Sequence, residues 1–134
     1  MMRRDLLFDA SSLIYALKLK LVDVLYGNYV QHLTVYEAVN AIWKEACLAK
    51  SLTLEEAEEL VGVITEVLDY LNMLSIHPHE PEVLRRAVNL ELTVYDASYV
   101  VLAEKKGLTL VTEDRKLMEK AGKVIRVTSL KNIA

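Results

Sequence analysis

Leu6-Leu7-Phe8-Asp9-Ala10-Ser11-Ser12-Leu13 reads as a short apolar strand that runs through an acid into a helix. Three apolar residues are too few for a buried helix, and the small polar residues after Asp9 suit a helix start. The same junction closes the chain's second half, where Leu108-Thr109-Leu110-Val111 leads into Thr112-Glu113-Asp114-Arg115-Lys116-Leu117. Two further acids sit where helix patterns begin, in Thr34-Val35-Tyr36-Glu37 and Thr93-Val94-Tyr95-Asp96. In an open α/β sheet, ligands bind in the crevice at the carboxyl ends of the strands. Acids delivered there from separate units converge, and a carboxylate cluster repels itself unless protons or metal ions compensate it. That chemistry points to divalent-metal phosphodiester hydrolysis.

The rest of the chain supplies the sheet and helices that such a crevice needs. The pattern predicts a helix over 11–17, a short one over 21–26, a break at Gly27-Asn28 and a strand over 29–34. Val35, Val39, Ile42 and Ala46 recur at helical steps. Thr53-Leu54-Glu55-Glu56 is a capping-box start for a long helix whose apolar stripe runs to Leu71. A third strand is expected over 73–76, a helix from Pro81 to about Leu92, and another from Tyr95 to Lys106, stopped by Gly107. Strands over 108–111 and 124–127 flank a helix over 115–121. Short strands alternating with helices indicate a mainly parallel sheet between helical layers, and the length fits a single domain over residues 1–134.

Composition narrows the function classes. The chain is 53% hydrophobic with few Gly and Pro, which argues against disorder. Its net charge of −3 carries no polybasic signature of nucleic-acid binding. Cys47 is single and lies in an apolar helix pattern, so it reads as a core thiol in a reducing compartment. No run of about 18 apolar residues is present to span a membrane. The expectation is a cytoplasmic protein without a membrane partner.

Each acid also has an ordinary explanation. Thr34-x-x-Glu37 and Thr93-x-x-Asp96 have capping-box spacing, and Asp9 and Asp114 suit N-caps or first turns. Against this, Glu37 and Asp96 lie inside otherwise apolar helix starts, where carboxylates packed together need compensation. Oxygen ligation suits Mg²⁺ or Mn²⁺, and no Cys or His cluster suggests structural zinc. His77 and His79 have a two-ligand spacing, but nothing nearby completes a set. Trp43 at helical spacing reads as core or interface. Arg85, Arg86, Lys105, Lys106, Arg115 and Lys116 are candidates for contacting backbone phosphate, although most read as solvated helix faces. Glu113 reads as solvated.

Taken together, these elements resemble the PIN-domain family of ribonucleases, in particular the toxins of toxin–antitoxin pairs. Asp9-Ala10-Ser11-Ser12-Leu13 resembles the family's opening Asp-x-Ser element, Glu37 its helix-borne glutamate, and Tyr95-Asp96-Ala97 its third element. Thr112-Glu113-Asp114 resembles the final Thr-x-Asp element. The resemblance implies a PIN-like α/β/α fold with a five-stranded sheet and a metal-dependent endoribonuclease. Asp9, Glu37, Asp96 and Asp114 would then be both catalytic and metal-holding, with Mg²⁺ or Mn²⁺ as cofactor. Ser11 and Thr112 would orient carboxylates or bond phosphate, or merely cap. RNA substrate, a homodimer and a small cognate antitoxin follow as expected partners. Two other readings remain: a phosphoacceptor module, and a non-catalytic binding or assembly domain with a degenerate acidic pocket. The first needs paired acids at the first strand and a phosphorylatable Asp after the third, where this chain has His77-Pro78-His79.

Overall fold

The computed structural model describes residues 2–133. Five parallel strands form one sheet: β1 (Leu6–Phe8), β2 (Tyr29–Gln31), β3 (Asn72–Leu74), β4 (Thr109–Val111) and β5 (Val127–Thr128), in the order β3-β2-β1-β4-β5. Six α-helices flank it: α1 (Ala10–Lys18), α2 (His32–Cys47), α3 (Leu54–Leu68), α4 (Glu80–Leu90), α5 (Val94–Lys106) and α6 (Arg115–Ala121). Because side chains alternate along a strand, β1 serves both layers. Leu6 and Phe8 pack into one core with Leu13, Leu17, Ala38, Ile42 and Ile64 of α1, α2 and α3. Leu7 faces the other way, into a second core with Tyr99, Leu102, Leu110 and Leu117. The expected three-layer α/β/α architecture is therefore what the chain adopts.

The topology fixes where a ligand would sit. From β1 the chain winds outward through β2 and β3, then returns to place β4 on the other side of β1. The carboxyl ends of β1 and β4 flank this reversal, which is where open sheets of this kind open a crevice. Asp9 follows β1 directly, and Thr112 follows β4.

Several boundaries differ from the sequence pattern for identifiable reasons. The strand expected over 29–34 stops at Gln31, because Gln31 and Thr34 cap α2 reciprocally and start the helix at His32. The strand expected over 124–127 begins only at Val127, because the N–H groups of Val124 and Ile125 both turn back to Ala121 O. Helix α3 ends at Leu68, with Asp69, Tyr70 and Leu71 bonding three residues back in tight turns. The capping box at Thr53 and Glu56 stands as the spacing predicts. Cys47 is exposed, not a core thiol, because it falls in the last turn of α2 as the helix leaves the core. Trp43 is half exposed on the same helix. Among the described residues, no helix is long and apolar enough to cross a membrane.

Gly107 closes α5 in the left-handed region, with φ of 65°. A side-chain Cβ there would meet nothing within 4 Å, so only backbone strain opposes a larger residue. Gly107→Ala is expected to lower unfolding stability by about 1 kcal/mol. A denaturant midpoint equal to that of the parent protein would show that this turn does not depend on glycine.

Candidate active site

Asp9 is the pivot of the crevice, and its neighbours hold both carboxylate oxygens. It is buried as the N-cap of α1, where Oδ1 accepts from Ser12 N–H at 3.0 Å and from Ser11 Oγ at 2.8 Å. Oδ2 accepts a short hydrogen bond from Thr112 Oγ1 across the β1–β4 junction. Ser12 Oγ stitches the same junction by donating to Val111 O at 2.7 Å. Thr112 Oγ1 in turn accepts from Asp114 N–H at 3.1 Å, and Ser11 Oγ accepts from Glu113 N–H at 3.0 Å. The turn after β4 is thus built onto the Asp9 carboxylate. Asp114 caps α6, its Oδ1 accepting from the N–H groups of Lys116 and Leu117.

Glu37 and Asp96 are not spent on caps. The capping box of α2 lies three residues earlier, at Gln31 and Thr34, which leaves the Glu37 side chain one turn further along. In α5, Thr93 accepts from Asp96 N–H at 3.1 Å, and the cap is made without the Asp96 carboxylate. Glu37 is instead held by Tyr99, whose hydroxyl donates to Oε1 at 2.8 Å. Behind it runs a buried chain: Gln31 N–H reaches Thr34 Oγ1 at 3.1 Å, and Thr34 Oγ1 lies 3.0 Å from Tyr99 OH. Tyr99 sits one turn from Asp96 on α5 and links that helix to α2. Sequence reading missed Tyr99, Ser12 and Thr34 as supports. A lone polar tip on the apolar face of α5 was the available signal for Tyr99, and it reads equally well as core.

The electrostatics follow from this packing. Burial pushes Asp9 above the usual carboxylate range, although four side-chain and backbone hydrogen bonds pull against it. Burial likewise raises Glu37, partly offset by the Tyr99 bond and reinforced by the charges of Asp9 and Asp96. Asp96 is raised by burial first, then by Asp114 and Asp9. Glu37 and Asp96 therefore sense the charges of the acids around them. Tyr99 is raised too, chiefly by burial, and remains a donor. None of the ion pairs among the described residues involves any of the four acids. Desolvated negative charge without a cationic partner is the condition that a divalent ion relieves.

The donor set is all oxygen, which suits a hard cation. Among the described residues, no three His, Cys, Asp or Glu side chains stand close enough to encircle an ion unaided. His77 pairs with Glu80 at 2.7 Å on the exposed surface, away from any such set. Glu113 is half buried, and its Oε2 accepts from Leu130 N–H at 2.9 Å, so it is a structural tie where a solvated face was expected. Among the basic candidates, Arg86 pairs with Glu104 and Lys105 with Glu82 on the α4–α5 face, whereas Arg115 lies beside the crevice.

The family model for the PIN domain matches residues 6–123. Over 101 residues, 75% of this chain and 72% of the relative, the sequence is 45% identical to exonuclease VapC9 of Pyrobaculum aerophilum. It is 41% identical over 92 residues, 66% of each chain, to ribonuclease VapC3 of the same organism. The crystal structure of PAE2754 from Pyrobaculum aerophilum superposes with a TM-score of 0.77 at 37% identity, covering 96% of this chain and 92% of that one. A DNA-bound VapBC from Salmonella typhimurium shares the fold at 17% identity, with a TM-score of 0.65 over 96% of this chain and 98% of that one.

Raised carboxylates make stability depend on pH with a definite sign. The folded chain binds these protons more tightly than the unfolded one, so their contribution is full below the usual carboxylate range. It is lost as pH rises through the raised values. Asp96→Asn removes part of that penalty. In metal-free buffer at neutral pH it is expected to raise the melting temperature by a few degrees and flatten the acid-side pH profile. A lowered melting temperature would place Asp96 in a stabilising pair instead.

Proposed function

The chain belongs to the PIN-domain family, and from that premise we propose that it is a divalent-metal-dependent endoribonuclease serving as the toxin of a toxin–antitoxin pair. Nuclease chemistry goes with the family and with the names of both relatives. The observation that carries the finer reading is that Asp9, Glu37 and Asp96 are all raised by burial at the switch point and, with Asp114, make no ion pair among the described residues. The relatives bear both "exonuclease" and "ribonuclease" in their names, so the mode of attack is a matter for experiment.

In this reading, Asp9, Glu37, Asp96 and Asp114 hold Mg²⁺ or Mn²⁺ between them, and residues 1–134 act as one nuclease domain. The metal, when bound, supplies Lewis acidity toward the scissile phosphate and lowers the pKa of its water. The protein's own part is placement. Ser11, Ser12 and Thr112 fix the Asp9 carboxylate in one orientation, so little reorganisation accompanies the reaction. Tyr99 holds Glu37 as an acceptor and keeps it turned into the crevice. Without the metal, the same acids repel phosphate, so cutting requires the ion.

Partner surfaces support the toxin assignment. Val39, Trp43 and Leu54 are exposed apolar residues around a cavity between α2 and α3. Apolar strips of this kind suit a helix of a small antitoxin or a second copy of the chain. The solved VapBC assembly shares the fold. A cytoplasmic protein, dimeric and held by its antitoxin, is the proposed resting state. A purely binding role with a degenerate pocket is disfavoured, because all four acids and their supports are intact.

End-labelled linear RNA and circular RNA, each with Mg²⁺ or Mn²⁺ and against EDTA, test the reading. We expect metal-dependent opening of the circle and loss of at least about a hundred-fold in rate in Asp96→Asn. Degradation of linear RNA only, with circles intact, would replace the endonuclease by an exonuclease. Cutting that persists in Asp96→Asn at the parental rate would remove Asp96 from the site.

A further inference from the structure

The crevice has a neighbour that the acids do not use. A cavity of about 670 Å³ lies between α1, α6 and the 3₁₀ turn Leu130–Asn132. That is within the roughly 300–1,000 Å³ typical of ligand clefts. It shares Ser11 and Glu113 with the turn built onto Asp9, so its mouth adjoins the acid cluster. Ser11, Tyr15 and Lys18 lie along one face of α1 at helical spacing, and Arg115 and Met118 along the opposing face of α6. Lys131 closes the side formed by the 3₁₀ turn.

The lining divides its labour in a way that suits one chemistry. Lys18 is already paired with Glu45, whereas Arg115 and Lys131 make no ion pair among the described residues. Glu113 is tied to Leu130 N–H, and the partly exposed Tyr15 lines the cavity together with Ile14 and Met118. Ser129 is 93% buried in the wall, and its Oγ has no hydrogen-bond partner among the described residues. Buried hydroxyls of this kind are normally satisfied, so the wall holds one polar group in reserve. Cations beside an aromatic and apolar floor are the combination that binds a nucleotide: phosphate on the charges, base on the ring.

We propose that this cavity is a nucleotide subsite for single-stranded RNA, seating the nucleotide next to the scissile phosphate through Arg115, Lys131 and Tyr15. It deepens the nuclease reading and rests on it for the direction of the strand. A duplex would keep its base stacked and out of reach, so the subsite favours unpaired RNA. The strand would leave the acids over Ser11 and pass between α1 and α6.

The test separates binding from cutting. A short fluorescent oligouridylate is titrated against the full chain carrying Asp96→Asn in Mg²⁺, with and without Arg115→Gln and Lys131→Gln together, across salt. Two lost phosphate contacts should weaken binding by about ten-fold at low salt and flatten the salt slope by about 1.4. Tyr15→Ala should weaken binding without changing that slope, while Tyr15→Phe restores it. Equal affinity and slope in the doubly neutralised protein, with unchanged melting temperature, overturns the subsite. Metal-dependent cleavage is measured separately in the Asp96 chain. Cutting with an unaltered KM in the Arg115→Gln, Lys131→Gln protein overturns the subsite while the nuclease stands. Absent cutting with the binding loss intact overturns the nuclease while the subsite stands.

Discussion

The Asp9 carboxylate organises this molecule. It is buried at the end of the central strand, capped onto α1 by Ser12 N–H, and joined through Thr112 to the strand beside it. Two elements far apart in sequence therefore meet on one charged group. Burying a charge is costly, and the hydrogen bonds offset only part of that cost. The fold accepts the remainder at the switch point, where a divalent ion can remove it.

The other acids are arranged in graded exposure around this buried one. Glu37 and Asp96 are half buried on two helices that converge on β1, and Asp114 is exposed at the head of α6. Tyr99 couples the two helices by holding Glu37 from α5. A shift of either helix would thus alter both acids. On the open side, the turn after β4 continues into the cavity between α1 and α6, so the acids and the adjoining basic and aromatic lining share one scaffold.

Much of this was legible in the sequence, for physical reasons that differ from element to element. Leu6-Leu7-Phe8 before Asp9 and Leu108 to Val111 before Thr112 are apolar runs too short to be anything but buried strands, and both stand within a residue of expectation. Parallel order followed from helices between strands. The start of α2 was misplaced because Gln31 is a rare cap, and the Thr34-x-x-Glu37 spacing offered a commoner one. That error concealed a structural point: with the box at Gln31 and Thr34, the Glu37 carboxylate is left out of the cap and accepts from Tyr99 instead. Tyr99 was hidden because a tyrosine within an apolar helix reads as core, and its hydroxyl has meaning only once α2 is packed against it. Cys47 was assigned inward from the helix pattern, but the α2–α3 face is left partly open, and of the two readings of Trp43, core or interface, its exposure there leaves the second.

The central claim is that uncompensated carboxylates at one point await a divalent cation. Calorimetric titration with Mn²⁺ in buffers of different ionisation enthalpy tests it without any RNA, because ligands must lose their protons to bind metal. The account predicts saturable binding that releases protons at mildly acidic pH, with release shrinking toward alkaline pH as the raised acids ionise on their own. It further predicts that Asp96→Asn weakens binding and lowers the number of protons released. Absence of saturable binding by the intact folded chain, or binding with no proton release at any pH, would contradict it.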